Sequence, residues 1–221
     1  MLHLTVHKKG LKMDGFISLN TSVFDNPFCM KMCNNKKMIC HNCYARGIEM
    51  TYKNLNKHLK HNTVELSKPL AKESLDDVTG QIKSSNRKYI RFHSFGELIN
   101  HDHLVNFYDI SDDCYNHVFG LWTKRKDMIK GIKKPGNLSL IYSNPVIDKE
   151  ITWVPDGFNG VFNVVSYDYC IEHKIIPNCT GKCMTCLRCY QPDKKFVVNE
   201  LVKHDQTKIR KGKIEPLERI L

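Results

Sequence analysis

Eight of the ten cysteines in this chain lie in two groups of four, and this grouping constrains the fold more than any other feature. The N-terminal quartet has the spacing C-x3-C-x6-C-x2-C and consists of Cys29, Cys33, Cys40 and Cys43. The C-terminal quartet has the spacing C-x3-C-x2-C-x2-C and consists of Cys179, Cys183, Cys186 and Cys189. Four thiolates are the complete ligand set of an all-cysteine zinc site or of a cubane iron–sulphur cluster. The pattern therefore predicts metal ligation by all eight side chains.

Disulfide bonds are the alternative use of so many cysteines. They are typical of secreted proteins, whereas residues 1–10 lack the apolar stretch of a signal peptide. A chain of 221 residues can also bury a core without cross-links. We therefore expect a cytoplasmic protein with metal-bound cysteines. Cys114 and Cys170 have no close partner in sequence, so we expect them to be small, buried, apolar residues.

The charge of the chain bears on its partners. The formal net charge is +11 at pH 7, from 34 lysines and arginines against 23 acidic residues. Basic residues are densest in segments 124–134 and 208–213. Such runs usually mark solvated faces, but they also fit contact with nucleic acid. No apolar run approaches the ~18 residues that suggest a membrane span, so no membrane partner is expected.

Short apolar runs alternate with polar or helical stretches along the chain. The strands that this pattern predicts are residues 16–21, 88–94, 117–123, 137–143 and 160–167. Helices are expected over 43–60, up to about residue 108, and in a basic stretch after the third strand. Alternation of this kind favours an α/β fold with a mostly parallel sheet. The chain is shorter than the ~250 residues of a full eight-stranded barrel, so we expect a partial or open (β/α) barrel. We expect one domain over 1–221, with a core of about 15–190 and a C-terminal extension of 191–221.

Polar residues follow the predicted strands at the ends where parallel α/β folds bind ligands. His93 ends the second strand and Glu97 lies shortly after it, which makes these two residues the candidate catalytic acid–base pair. Both cysteine quartets also follow strands. The sequence therefore predicts that the quartets and this pair open on the same rim of the sheet.

Two family resemblances rest on these motifs. The segment from Cys40 to Ala45, between a strand and a helix, resembles the opening of a radical S-adenosylmethionine (SAM) domain. Gly96 and Glu97 resemble that family's glycine–glutamate motif, which implies that they bind a cofactor at its amino group. The chain is more similar to a bacteriophage gene-product family of cysteine-rich proteins, through the Cys29–Ala45 and Arg91–Glu97 segments, Trp122-Thr123 and the Cys179–Tyr190 segment. This resemblance covers about residues 15–190 and implies a cluster, a barrel-like fold and a phage protein in the host cytosol.

The number of cysteines separates the candidate chemistries. A SAM-cleaving cluster has three cysteine ligands and one open iron, whereas each quartet here offers four, so SAM is not the expected cofactor. Zinc ribbons separate two knuckles by about 12 or more residues, while the compact C-terminal quartet is more typical of a cubane. The sequence therefore predicts one or two [4Fe–4S] clusters with a redox or structural role and a redox or host partner. Two alternatives stay open, a divergent radical SAM or cluster-dependent enzyme and a zinc-stabilised nucleic-acid-binding protein.

Overall fold

The computed structural model describes residues 1–220 and contains one seven-stranded sheet whose strands lie side by side in sequence order. The strands are β1 Leu4–Val6, β2 Ile17–Leu19, β3 Tyr89–Phe92, β4 Val118–Thr123, β5 Leu138–Ser143, β6 Gly160–Val165 and β7 Phe196–Leu201. β1 is antiparallel to β2, and every later pair of neighbours is parallel. The expected α/β fold with a mostly parallel sheet is thus confirmed. The sheet is not closed into a barrel, since β1 and β7 do not pair within residues 1–220.

The described chain contains eight α-helices, of which seven lie in connections between strands and the eighth follows β7. They are α1 Pro27–Cys33, α2 Tyr44–Thr51, α3 Lys53–Leu66, α4 Lys72–Ser84, α5 His101–Asp113, α6 Tyr167–His173, α7 Cys183–Cys186 and α8 Lys203–Arg210. The first four form the long crossover from β2 to β3, and α5 connects β3 to β4. The connections on either side of β5 contain no α-helix. None of these helices combines the length and apolar composition that crossing a bilayer requires.

The main core lies between one face of the sheet and helices α3 to α5. Side chains alternate between the two faces of a strand, so Ile90 and Phe92 of β3 enter this core while Arg91 points to the other face. The ring of Phe92 stacks on Phe107 of α5 with 4.0 Å between centroids. Both rings are fully buried, which fixes α5 against the sheet.

Irregular segments cover the opposite face of the sheet. Tyr190, in a 3-10 turn at Arg188–Tyr190, packs against Phe16 and Trp122 with centroid distances of 4.9 and 5.7 Å. Gly120 makes room for these rings, because a Cβ there would lie 2.7 Å from Trp122 and 3.0 Å from Tyr190. The segment that carries the C-terminal quartet therefore packs closely against the sheet.

The loops that follow β2 and β7 meet although these strands are far apart in the sheet. Five strand positions separate them, or about 24 Å in a flat sheet at ~4.8 Å per strand. Yet the Lys203 ammonium, just after β7, lies 3.5 Å from the ring centroid of Tyr44, which belongs to the crossover after β2. Lys12 from the β1–β2 hairpin likewise forms a salt bridge with Glu200 of β7. The sheet must therefore curve strongly.

Several local predictions differ from the structure. The predicted helix over 43–60 is two helices, because the backbone leaves the helical conformation at Tyr52. Near this break, the buried carboxylate of Glu49 in α2 accepts hydrogen bonds from Asn56 of α3 and from the Ser22 hydroxyl. The predicted basic helix after β4 is wrong. Only a 3-10 turn, Lys126–Met128, forms there before the left-handed Gly131.

The sheet extends beyond the predicted core of 15–190 at both ends. β1 precedes this range, and β7 lies in the segment expected to be a C-terminal extension. β7 pairs with β6 over its whole length. Both of these strands and helices α1, α4, α6, α7 and α8 had no counterpart in the sequence prediction.

Candidate metal centre

The N-terminal quartet lies in the crossover that leaves the carboxyl end of β2. Cys29 and Cys33 belong to α1, whose first turn is capped by the Asn26 side chain, an acceptor for the Cys29 amide at 3.2 Å. Cys40 lies in a 3-10 turn, and Cys43 precedes the first residue of α2. Cys33 is buried and the other three thiols are half-buried.

The four thiols of this quartet lie close enough to affect one another's ionisation. Burial, followed by the charge of Cys43, raises the pKa of Cys33 to about 11. Burial and then Glu97 raise the pKa of Cys29, while Lys124 acts in the opposite direction. Burial also raises the pKa of Cys40, again against the influence of Lys124. Without a metal, the thiols of Cys29, Cys33 and Cys40 are therefore protonated at neutral pH.

The C-terminal quartet lies in the crossover from β6 to β7. Cys183 and Cys186 form the ends of the single turn α7, and Cys189 follows in the 3-10 turn. The amide of Cys179 donates to the carbonyl of Asn199 in β7, at 3.2 Å, and the amide of Cys183 donates to the carbonyl of Lys12, at 3.1 Å. These bonds connect the quartet to β7 at one side of the sheet and to the β1–β2 hairpin at the other.

All four C-terminal cysteines line one small cleft of about 40 Å³ on the loop-covered face of the sheet. Lys12 and Arg91 line the same cleft. Burial raises the pKa of Cys183, and both cations oppose this rise. Burial raises the pKa of Cys189 to about 12. The cleft thus combines thiols with positive charge.

Arg91 is a notable member of this cleft because it lies inside a strand. Its guanidinium stacks over the Trp122 ring at 4.0 Å from the centroid. Its Nε donates to the carbonyl of His93 at 3.4 Å. Within residues 1–220 no carboxylate pairs with it. Its charge is therefore available to an anion in the cleft.

The thiols of each quartet lie near one another, but they are not in the positions of metal ligands. All ten cysteines are free thiols. Across the part of the chain that the structure describes, no group of three or more His, Cys, Asp or Glu side chains has the geometry to hold a metal ion. Ligation by either quartet would thus require its thiols to move together.

Glu97 lies near the N-terminal quartet, but both oxygens of its carboxylate already accept hydrogen bonds from other residues. Its Oε1 accepts from the Thr123 hydroxyl at 2.6 Å and from the Leu98 amide at 2.9 Å. Its Oε2 accepts from the Lys124 amide at 2.8 Å, with the Lys124 ammonium 3.9 Å away. Glu97 is 2% exposed. These contacts join the loops that follow β3 and β4.

His93, the other predicted acid–base residue, faces helix α5. Its ring packs edge-on against His103 and Phe107, with both centroid distances at 5.0 Å. Burial, followed by the nearby His103, lowers the pKa of His93 well below its ordinary value. The ring is therefore neutral, and the structure describes no contact between it and Glu97.

Gly96 fits tightly against the end of β2. Its φ of +86° is a conformation that favours glycine, and a Cβ would lie 2.1 Å from the Thr21 hydroxyl. A side chain at this position would push the two loops apart. Close packing thus accounts for this glycine, and its predicted role in cofactor binding stays a prediction.

Comparison with known proteins identifies a family. Residues 3–211 match the family described as "Gene product 88". The chain belongs to the Gene product 88 family. No curated protein and no solved structure matches the chain.

The match to Gene product 88 confirms the predicted phage-type gene-product family. It spans both quartets, His93 and Glu97. No comparison supports a relationship to radical SAM proteins.

In this Gene product 88 protein, the two cysteines outside the quartets are core residues. Cys114 is 1% exposed and Cys170 is fully buried. Each belongs to an apolar cluster that contains neither quartet. The prediction of small buried apolar residues is confirmed.

Sequence reasoning missed Lys12 and Arg91, which approach the thiols of the C-terminal quartet, and Lys203, which with Tyr44 bridges the loops after β2 and β7. Lys124, which approaches Cys29, lies in the basic segment 124–134 that the sequence had singled out. One signal was available for Arg91, since a charged residue inside an otherwise apolar strand needs a reason to be there. Lys12 gave no such signal, because Glu200 is 188 residues away in sequence.

Proposed function

We propose that this Gene product 88 protein binds iron–sulphur through its cysteine quartets, as one or two [4Fe–4S] clusters with a redox or structural role in the host cytosol. The observation that carries the proposal is the presence of cations beside both sets of free thiols. Lys12 and Arg91 line the cleft of the C-terminal quartet, and Lys124 lies near Cys29 and Cys40. Neutral thiols gain little from buried cations. A cubane with four thiolates carries a charge of about −2 and would be stabilised by them.

The donor chemistry fits such a cluster. Thiolates are the ligands that iron–sulphur clusters use, and each quartet supplies four from a single connection of the sheet. The Cys43, Cys183 and Cys189 thiols are half-buried, so they are reachable from solvent and still partly shielded from it. A bound cluster would supply one-electron transfer or cross-link the loops. The protein's part is to hold the thiolates, balance their charge and limit access of water.

The experiment is to purify the full chain anaerobically and measure its visible spectrum with iron and sulphide counts. About four irons per chain would indicate one cubane and about eight would indicate two. Cys183→Ser and Cys40→Ser test the quartets separately. Cys170→Ser is the matched control, because that cysteine is buried in a different apolar cluster.

We expect each quartet that binds a cluster to lose its iron in its own variant, while Cys170→Ser keeps the wild-type iron content. Colourless protein without iron would refute the proposal. Zinc in its place, found by elemental analysis, would support the zinc alternative, and binding of DNA or RNA with a steep salt dependence would add the nucleic-acid role.

A divergent radical SAM or cluster-dependent enzyme is the second candidate. It is favoured by the sheet, in which the parallel strands β2 to β7 follow in sequence order and curve until the loops after β2 and β7 meet. This is the arrangement expected of a partial barrel. Cleavage of SAM to 5′-deoxyadenosine by the reduced protein would support this candidate. No cleavage and no SAM binding by protein that carries iron would exclude it.

A further inference from the structure

A second cavity lies at the amino ends of β5 to β7 and shares no lining residue with the cleft of the C-terminal quartet. It has a volume of about 310 Å³ and is lined by Tyr108, Ile129, Ile132, Lys134, Gly157, Phe158, Asn159 and Lys195. Lys134 precedes β5, Phe158 precedes β6 and Lys195 precedes β7, so the cavity opens at the amino ends of these strands. Its volume falls at the lower end of the range for pockets that hold small organic ligands. The cavity is independent of the proposed cluster function.

The hydroxyl of Tyr108 is the feature of this cavity that calls for a ligand. Tyr108 is 4% exposed, and its hydroxyl has no hydrogen-bond partner among residues 1–220. Burial raises the pKa of this group to about 12, so it is a neutral donor. A buried hydroxyl without a partner lowers stability, because its hydration is lost and not replaced. A bound acceptor in the cavity would remove that cost.

Two lysines add positive charge to the same cavity. The Lys134 ammonium donates to the carbonyls of Pro135 and Leu138, at 3.3 and 2.8 Å, and the Lys195 ammonium donates to the carbonyl of Phe158. An ammonium has three N–H donors, so each lysine keeps at least one for a ligand. Burial and then the charge of Lys195 lower the pKa of Lys134. No carboxylate of the described chain forms a salt bridge with either lysine.

The rest of the lining is apolar and limits the class of ligand. Ile129 and Phe158 are buried, and Ile132 packs against the main core beside them. A bare inorganic anion would leave this surface without a partner, while an uncharged apolar molecule would leave the lysines and the tyrosine unpaired. We propose that this cavity binds a small carboxylate with a short aliphatic chain, whose oxygens accept from Tyr108, Lys134 and Lys195 while its chain contacts the isoleucines and Phe158.

The test uses the full-length chain with hexanoate as probe. Hexanol has the same apolar chain without the charge, and inorganic phosphate has charge without the chain. Binding is measured by isothermal titration calorimetry and by the change in the thermal midpoint. We expect hexanoate to bind and raise the midpoint, and we expect hexanol and phosphate to do neither.

Variants then separate ligand binding from a structural role. Tyr108→Phe should weaken hexanoate binding about 5- to 10-fold, since a hydrogen bond of about 1 kcal/mol is lost. It should leave the stability of the ligand-free protein unchanged or raised, because an unpartnered hydroxyl is removed. Lys134→Met and, independently, Lys195→Met should each weaken binding at least as much. Lys133→Met is the matched control, an exposed neighbouring lysine outside the cavity lining.

The proposal is overturned if wild-type protein does not bind hexanoate, or if hexanol or phosphate binds equally well. Unchanged hexanoate affinity in Tyr108→Phe and Lys195→Met would overturn it as well. Because both proteins carry intact quartets, none of these results bears on the proposed cluster function.

Discussion

Replacing Glu97 by glutamine tests whether this residue mainly holds two loops together. The carboxylate accepts three hydrogen bonds, from the Thr123 hydroxyl and from the amides of Leu98 and Lys124. In Glu97→Gln one acceptor oxygen becomes an NH₂ group, which is itself a donor. Whichever way the new amide turns, the NH₂ faces at least one backbone N–H. One charge-assisted bond is lost and one buried N–H is left unpaired.

The expected cost follows from these two losses. A hydrogen bond to a charged group contributes about 1.5–3 kcal/mol, and an unsatisfied buried donor costs about 1–3 kcal/mol. Together they predict a loss of about 2.5–6 kcal/mol in the free energy of unfolding. Because small domains have about 5–15 kcal/mol in total, Glu97→Gln should fold but with greatly reduced stability.

Urea unfolding followed by far-UV circular dichroism measures this loss. With a slope of about 2 kcal/mol per molar urea, the midpoint should fall by about 2 M. Glu172→Gln is the control, since Glu172 has a side chain 76% exposed and should change stability by less than about 0.5 kcal/mol. A stability for Glu97→Gln within 1 kcal/mol of wild type would refute the reasoning.

Two further predictions concern packing and pH. Gly96→Ala should lower the thermal midpoint by many degrees, because its Cβ would collide with Thr21 in a conformation that disfavours alanine. Gly47→Ala is the control, because Gly47 lies in α2 and an added Cβ would meet nothing within 4 Å. This substitution should stabilise the protein by about 0.5–1 kcal/mol and raise the midpoint. A lower thermal midpoint for Gly47→Ala than for Gly96→Ala would contradict this reasoning. Burial lowers the pKa of His103 to about 3, so the unfolded chain takes up a proton as pH falls below about 6.5 while the folded protein does not. The contribution of His103 should therefore lower the free energy of unfolding by about 2 kcal/mol between pH 6.5 and 5. In His103→Gln the urea midpoint should depend less on pH than in the wild-type protein.

The strands that the sequence predicted correctly are those with a clear local signal. β5 is a mostly apolar run, Leu-Ser-Leu-Ile-Tyr-Ser, ended by Asn144-Pro145, and its predicted and observed bounds differ by one residue. β1 has only three residues, too few for an alternating pattern. β7 alternates poorly, and its assignment depends on pairing with β6. Strands of this kind are defined by their neighbours more than by their own residues.

Only the cysteines of the candidate site could be predicted from the sequence. Spacing alone groups the cysteines, and the structure confirms that each quartet lies in a single connection between strands. The cations beside the thiols come from distant parts of the chain, such as Lys12 in the first hairpin and Lys124 after β4. Sequence distance hides such contacts because they exist only once the sheet has curved.

The curvature of the sheet would also give the proposed cluster binding a mechanical consequence. The C-terminal quartet is hydrogen-bonded to Lys12 at one end of the sheet and to Asn199 in β7 at the other. The Lys12–Glu200 salt bridge spans the same gap. A cluster that drew the four thiolates together would therefore pull on both ends of an open sheet whose edges do not pair. In that case cluster binding stabilises the closed-up shape of the sheet itself, and loss of iron should loosen β1 and β7 before the helix-covered core.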